Sequence, residues 1–186
     1  MHLLRAQCDA VLVGIGTVLS DDPLLTCRLP GMEVRSPVRV ILDRSLRISD
    51  ATRLVRSAHE TPLWVMASNL SEASAAMKLN VSGAEVIRVA TTTAPPELEL
   101  HAVLHALAEK GITRLLVEGG ARVASSFVGA DLVDEVWLLR GPNLVGADGV
   151  TALEALPLTA ITQSPAFKLC ASETLHDDAL TIYERA

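Results

Sequence analysis

Cysteine, aromatic residues and positive charge are all scarce in this chain of 186 residues, which has three Cys, five aromatics and 16 Lys and Arg against 22 Asp and Glu. Cys8, Cys27 and Cys170 are odd in number and widely scattered, which argues against a disulfide framework and against a CxxC metal site. A net charge of −6 with so few aromatics speaks against a nucleic-acid-binding surface. No apolar run reaches the ~18 residues that a membrane-spanning helix needs. The opening Met1-His2-Leu3-Leu4-Arg5 leads into a polar stretch rather than the apolar core of a secretion signal. Repeats, low-complexity tracts, linkers, a Walker loop and a Gly-x-Ser-x-Gly elbow are all missing. Apolar residues make up 49% and charged residues 20%, enough for a real core and too apolar for disorder. The expectation is one soluble, cytoplasmic domain that handles a small molecule.

Short β-rich runs alternate with helical patterns, which predicts a mostly parallel sheet covered by helices. The runs are Asp9 to Gly14, Val38 to Asp43, Leu63 to Ala67, Glu85 to Val89, Arg114 to Glu118 and Glu135 to Leu139. The first is apolar on both faces, as buried parallel strands are. Helices are expected from Ser71 to Asn80, with Asn69 and Glu72 at capping-box spacing, and from Glu97 to Lys110. In the latter, Leu100, Val103, Leu104 and Leu107 share a face, and Gly111 stands where a left-handed C-cap would fall. A shorter helix is expected from Ala121 to Phe127, stopping at Gly129. The ending differs: Phe167 to Leu175 and Leu180 to Tyr183, joined by His176-Asp177-Asp178, read as an antiparallel hairpin.

Ligands of open α/β sheets gather beyond the carboxyl ends of the strands, and three such ends carry unusual residues. Gly14-Ile15-Gly16-Thr17 has two glycines of the dinucleotide-binding fingerprint, but Leu19 replaces the third, so a tight turn is the better account of the glycines taken alone. Asp21 follows Thr17 by one helical turn. Glu118-Gly119-Gly120 precedes a helix whose free N–H groups suit an anion. Arg122 in that first turn opposes the helix dipole, and either bends out to solvent or helps to hold a phosphate. Glu118, at a buried strand end, needs a salt-bridge partner or a ligand. In Asp43-Arg44-Ser45 the Arg and Ser suit a phosphate, a solvated loop being the plainer account, and Arg5 and Arg28 offer local positive charge. His2, His59, His101, His105 and His176 fall in no metal-site or triad spacing, so no metal is expected.

The stretches Leu4 to Gly14 and Gly16 to Arg28, with the string Thr-Val-x-x-Asp-Asp-Pro-x-Leu-Thr-x-Arg, resemble the reductase domain of the bifunctional riboflavin-biosynthesis deaminase/reductase. Val40 to Asp43, Leu116 to Ala121 and Gly141-Pro142-Asn143-Leu144-Val145-Gly146 follow in that family's order, so the resemblance covers essentially the whole chain. It implies a dihydrofolate-reductase-like α/β fold, a mostly parallel central sheet flanked by helices with a C-terminal antiparallel hairpin. The implied activity is NADPH-dependent reduction of the ribosyl group of 5-amino-6-(5-phosphoribosylamino)uracil to ribityl. Thr17, Asp21, the position of Arg44, and Gly120 to Ser126 (Ala121, Arg122, Val123, Ala124, Ser125, Ser126) would contact the cofactor. Arg5, Leu25, Arg28 and Glu118 would contact the phosphoribosyl pyrimidine, with Glu118 also the candidate for proton transfer. Arg44 stands where the family often has serine, and suits the 2′-phosphate that separates NADPH from NADH.

The family's reductase domain usually begins a few tens of residues earlier, with a Lys-x-Ala-x-Ser-x-Asp-Gly-like strand and a Trp-containing loop. Neither precedes Met1, and the His-x-Glu and Pro-Cys-x-x-Cys motifs of the zinc deaminase are missing as well. The expectation is therefore a reductase domain short of its first strand, its activity impaired. Analogy with the family implies a homodimer. The competing readings are a same-fold reductase of another substrate such as a pterin, and a non-catalytic nucleotide-binding module.

Overall fold

The computed structural model describes residues 1–143, 145–146 and 149–186. Leu144, part of the Gly141 to Gly146 string, lies outside the described residues. The chain forms two compact units, Met1–Gly120 and Ala121–Ala186.

The first unit contains α1 (His2–Gln7), β1 (Ala10–Gly14), α2 (Ile15–Asp21), a short 3-10 turn (Glu33–Arg35), β2 (Val38–Leu42) and α3 (Arg53–Arg56). It continues with β3 (Leu63–Ser68), α4 (Ala73–Val81), β4 (Glu85–Val89), α5 (Leu100–Glu109) and β5 (Leu115–Gly119). Its five strands are all parallel, in the order β4-β3-β2-β1-β5. Every residue of β1 is buried, as its two-faced apolar sequence predicts for the strand between β2 and β5. Val11 and Val13 enter one apolar cluster with Ile41, Leu54, Val65 and Leu79.

Local chemistry ends these elements. At the end of α5, Gly111 adopts φ +86, its N–H donates to the Ala108 carbonyl, and the Ile112 N–H donates to the Leu107 carbonyl. These are the paired bonds of a Schellman cap, in the glycine-favoured conformation expected from the sequence. The expected Asn69–Glu72 capping box does not form. Glu72 itself occupies the N-cap of α4, while the Asn69 N–H donates to the Val89 carbonyl, so the chain is still leaving β3 at Asn69. Gly14-Ile15-Gly16 is not a tight turn either, because Gly14 is the N-cap of α2 and the strand runs straight into the helix.

Asp9 joins the starts of β1 and β5. Its Oδ2 accepts the Thr113 hydroxyl at 2.7 Å and the Thr113 and Arg114 N–H groups at 2.8 Å each. The Thr113 hydroxyl above all, then the two amides, holds the Asp9 carboxyl below its ordinary range. A depressed folded value means that this stabilisation is complete above the unfolded value, about 3.9, and is lost as pH falls through the folded one. Asp9→Ala should cost about 1–2 kcal/mol at neutral pH. Urea unfolding should show the deficit shrinking below about pH 3.9; a pH-independent deficit would contradict this role.

The second unit contains α6 (Ala121–Gly129), β6 (Glu135–Arg140), α7 (Thr159–Thr162), β7 (Phe167–Leu175) and β8 (Asp178–Arg185). Its sheet is antiparallel in the order β6-β8-β7. The hairpin expected from the sequence is β7–β8, with Leu175 opposite Asp178 and His176 at φ 58 in the turn. β6 joins this hairpin rather than the parallel sheet. Its alternation of exposed and half-buried residues suits a sheet covered on one face, unlike the continuous burial of β1. Among the described residues, no helix is long and apolar enough to cross a membrane.

Candidate functional site

The carboxyl ends of β2, β1 and β5 are neighbours in the parallel sheet, so three of the segments singled out in the sequence meet along one edge of the first unit. At the end of β1, α2 carries Thr17 in its first turn and exposed Asp21 as its last residue. Asp22 closes the helix in the left-handed region at φ 39, and its Oδ1 accepts the Arg53 N–H at 2.9 Å. At the end of β5, a Cβ on Gly120 would stand 3.2 Å from the Thr17 Oγ1, so the backbone and the hydroxyl approach as closely as a glycine allows. The preceding Gly119 has φ +155, and the Gly119–Gly120 peptide is cis.

Glu118 is placed by an irregularity of pairing. Leu12 lies opposite Val117 and Val13 opposite Gly119, so Glu118 is the extra residue of a β-bulge, a device that re-aims a side chain beside a strand end. The carboxylate meets Arg5 of α1. The Arg5 Nε donates to Glu118 Oε2 at 2.7 Å, and its Nη2 donates to Oε1. The two side chains are only 10% and 15% exposed. This two-pronged pair is the strong form of an ion pair, and it answers the question of a partner for the buried Glu118.

Arg5 also reaches the segment after α2. Its Nη1 donates to the Thr26 carbonyl at 2.9 Å, while the buried guanidinium of Arg39 reaches the Leu24 carbonyl at 3.5 Å. Between these anchors lies Leu25, 3% exposed and at φ 57, a conformation costly for a branched apolar residue. The Cys27 N–H donates to Ser36 Oγ and the Arg28 N–H to His2 Nδ1. Arg28 itself is exposed.

The Arg39 guanidinium is otherwise caged by the Ser57 hydroxyl and the Ser57, Thr61 and Pro62 oxygens, and burial lowers its pKa to about 10. It therefore stays charged at neutral pH. At the end of β2, Arg44 is exposed, and its carbonyl accepts the Ser68 N–H from β3.

In the second unit, Ala121, Arg122, Val123, Ala124, Ser125 and Ser126 form the first turns of α6. Ser125 is buried, and its Oγ accepts the Glu154 and Ala155 N–H groups at 2.9 and 3.3 Å. The Ser126 hydroxyl donates to the Arg122 carbonyl. His101 and His105 of α5 are exposed and lie beside Glu99 and Glu109.

Thr17 with Gly120, and Arg5 with Glu118 and the Leu25 segment, are thus brought together within one unit. The contribution of Arg39 was missed, because an arginine inside an apolar strand gives no sign of the cage that receives it. His2 and Ser36 were missed as loop anchors for a similar reason: both act on backbone N–H groups, which carry no residue-type signal.

The profile of the RibD C-terminal domain family matches residues 1–181. The chain belongs to this family. Among relatives of this RibD C-terminal domain is the 2,5-diamino-6-ribosylamino-4(3H)-pyrimidinone 5′-phosphate reductase of Methanothermobacter thermautotrophicus. It is 34% identical over 185 residues, covering 98% of this chain and 82% of the relative. The riboflavin biosynthesis protein RibD of Bacillus amyloliquefaciens is 36% identical over 180 residues, with 90% of this chain and 47% of that protein covered. A solved Thermotoga maritima diaminohydroxyphosphoribosylaminopyrimidine deaminase/5-amino-6-(5-phosphoribosylamino)uracil reductase superposes with a TM-score of 0.72 at 30% identity, over 100% of this chain and 47% of that one. The chain therefore spans about half the length of those two relatives.

Proposed function

We propose that this RibD C-terminal domain is an oxidoreductase of riboflavin biosynthesis that reduces the ribosyl group of a 5-phosphoribosylamino pyrimidine to ribityl, with NADPH as reductant. The observation that carries the reading is the meeting of strand ends in the first unit. There Thr17 stands against Gly120, and the Arg5–Glu118 pair lies at the same end of β5. A backbone stripped of side chains beside a hydroxyl is what close approach of a dinucleotide requires, so the residues fit such a cofactor.

Thr17, Asp21, Arg44 and Gly120 are the residues of the first unit proposed to hold it. When bound, the cofactor supplies a hydride for the anomeric carbon. The chain's task is to align the sugar, exclude water and manage the proton. Each Glu118 oxygen takes one N–H from Arg5 and keeps further lone pairs, which can accept hydrogen bonds from ribose hydroxyls. Glu118 is also the residue proposed to move a proton at the reacting end. Arg28, exposed and anchored through its own N–H, is free to turn its guanidinium to the sugar phosphate. Leu25 supplies a fixed apolar wall.

The named relatives differ in pyrimidine, one acting on the 2,5-diamino pyrimidinone and another on the 5-amino uracil. Both belong in the test. Purified chain with NADPH and either compound should consume NADPH, followed by its near-ultraviolet absorbance, and yield the ribityl product. No turnover of either, with no cofactor binding by calorimetry, would overturn the reading. NADPH binding with turnover of a pterin instead would transfer it to a same-fold reductase of another substrate. Arg44→Ser should weaken NADPH by about tenfold and leave NADH within about twofold, since only NADPH carries the 2′-phosphate. Equal changes for both cofactors would remove Arg44 from that role.

A further inference from the structure

We propose that Asp43 is a positioning residue for cofactor binding, whose buried carboxyl group sets the turn that displays Arg44 and Arg47 together. The proposal rests on the dinucleotide reading above and extends it to two residues to which no role has been given, Asp43 and Arg47.

Asp43 follows the last residue of β2 and is 0% exposed. Three of its groups shape the turn. Its N–H donates to the Met66 carbonyl of β3 at 3.0 Å, its carbonyl accepts the Leu46 N–H at 3.1 Å, and its Oδ2 accepts the Ile48 N–H at 2.8 Å. Leu46 and Ile48 both enter the apolar cluster. Arg44, Ser45 and Arg47 are exposed. The turn is thus nailed down by alternate residues and shows two cations and a hydroxyl outward. Among the described residues, neither Arg44 nor Arg47 has a salt-bridge partner.

Two features exceed what turn stability needs. Leu46 sits at φ 54, where a bulky side chain is strained. Asp43 Oδ1 is buried with no hydrogen-bond partner among the described residues. A serine or asparagine could accept the Ile48 N–H without burying a second carboxyl oxygen. Local rules broken in this way, beside a strand end of the ligand-binding edge, mark a turn shaped for what it displays. Two guanidinium groups on a rigid turn suit a phosphate monoester, because the backbone that carries them is already ordered before binding.

The test uses the full chain. Asp43→Ala, which removes the acceptor of the Ile48 N–H, should raise the NADPH dissociation constant by about tenfold, with kcat at saturating NADPH and the pyrimidine KM within about twofold. Arg47→Gln, an exposed change, should raise it by about fivefold. Asp43→Ala that binds NADPH like wild type, whatever its melting temperature, overturns the proposal, as does a fall of kcat together with a rise of both KM values. Should Asp43→Ala not fold, Arg47→Gln decides alone: an unchanged NADPH constant overturns the proposal. Wild-type chain that binds neither NADPH nor NADH overturns both this inference and the functional reading. Wild-type binding of NADPH with indifferent variants overturns this inference only.

Discussion

Arg5→Ala should destabilise the first unit by about 3–5 kcal/mol and abolish turnover, the larger part of the stability loss coming from the carboxylate it abandons. Glu118 is 15% exposed and both of its oxygens are bonded to Arg5, so without Arg5 it is a nearly buried, unpaired acid. The same change frees the Thr26 carbonyl and removes one of the two anchors beside left-handed Leu25. Glu118→Ala should cost a comparable amount, because it strands the Arg5 guanidinium instead. An apolar pair of similar volume, Arg5→Met with Glu118→Leu, should recover most of the stability, since replacing a buried ion pair is far milder than breaking it. It should recover none of the turnover. Urea midpoints and steady-state rates of the four proteins check this. A double variant that is both stable and active would reduce the pair to a structural staple and remove Glu118 from the chemistry.

That pair illustrates why the site was only partly legible in the sequence. Arg5 and Glu118 are 113 residues apart, and nothing in residue type tells that they touch. The bulge that aims Glu118 is equally silent, because it depends on how β5 registers against β1. The core strands are another matter. Val11, Leu12 and Val13 are apolar on both faces and could only be buried between parallel neighbours. Gly111 with Ile112, and the turn at His176, were legible because helix ends and hairpins are local chemistry. Short helices were not. α1 and α2 have six and seven residues, too few for a periodic apolar face, and their form is set by packing rather than propensity. Arg39 runs against the rule that an arginine stays out of a central strand, and only its cage of carbonyls explains how it is tolerated. β6 was recognisable as a strand, yet its partner was not, because a short apolar run does not declare the sheet it will join.

Gly120→Val should be as damaging to cofactor binding as the loss of Arg5 is to the fold. A single Cβ at this position already falls 3.2 Å from Thr17 Oγ1, closer than side chains ordinarily pack. Alanine would require a displacement of a few tenths of an ångström. A β-branched side chain adds two methyl groups around that crowded point, and overpacking of this kind costs about 1–3 kcal/mol. In the proposed complex the same volume is needed by the dinucleotide, so NADPH affinity should fall at least a hundredfold, about 2.7 kcal/mol. Gly120→Ala with Thr17→Ala separates the two effects. Removing Oγ1 should return the stability lost by Gly120→Ala alone, because the crowding is pairwise. NADPH binding should stay weak, since the hydroxyl proposed to contact the cofactor is gone. Calorimetry that finds full affinity in the double variant, or in Gly120→Val, would place the dinucleotide elsewhere than against the 119–120 backbone.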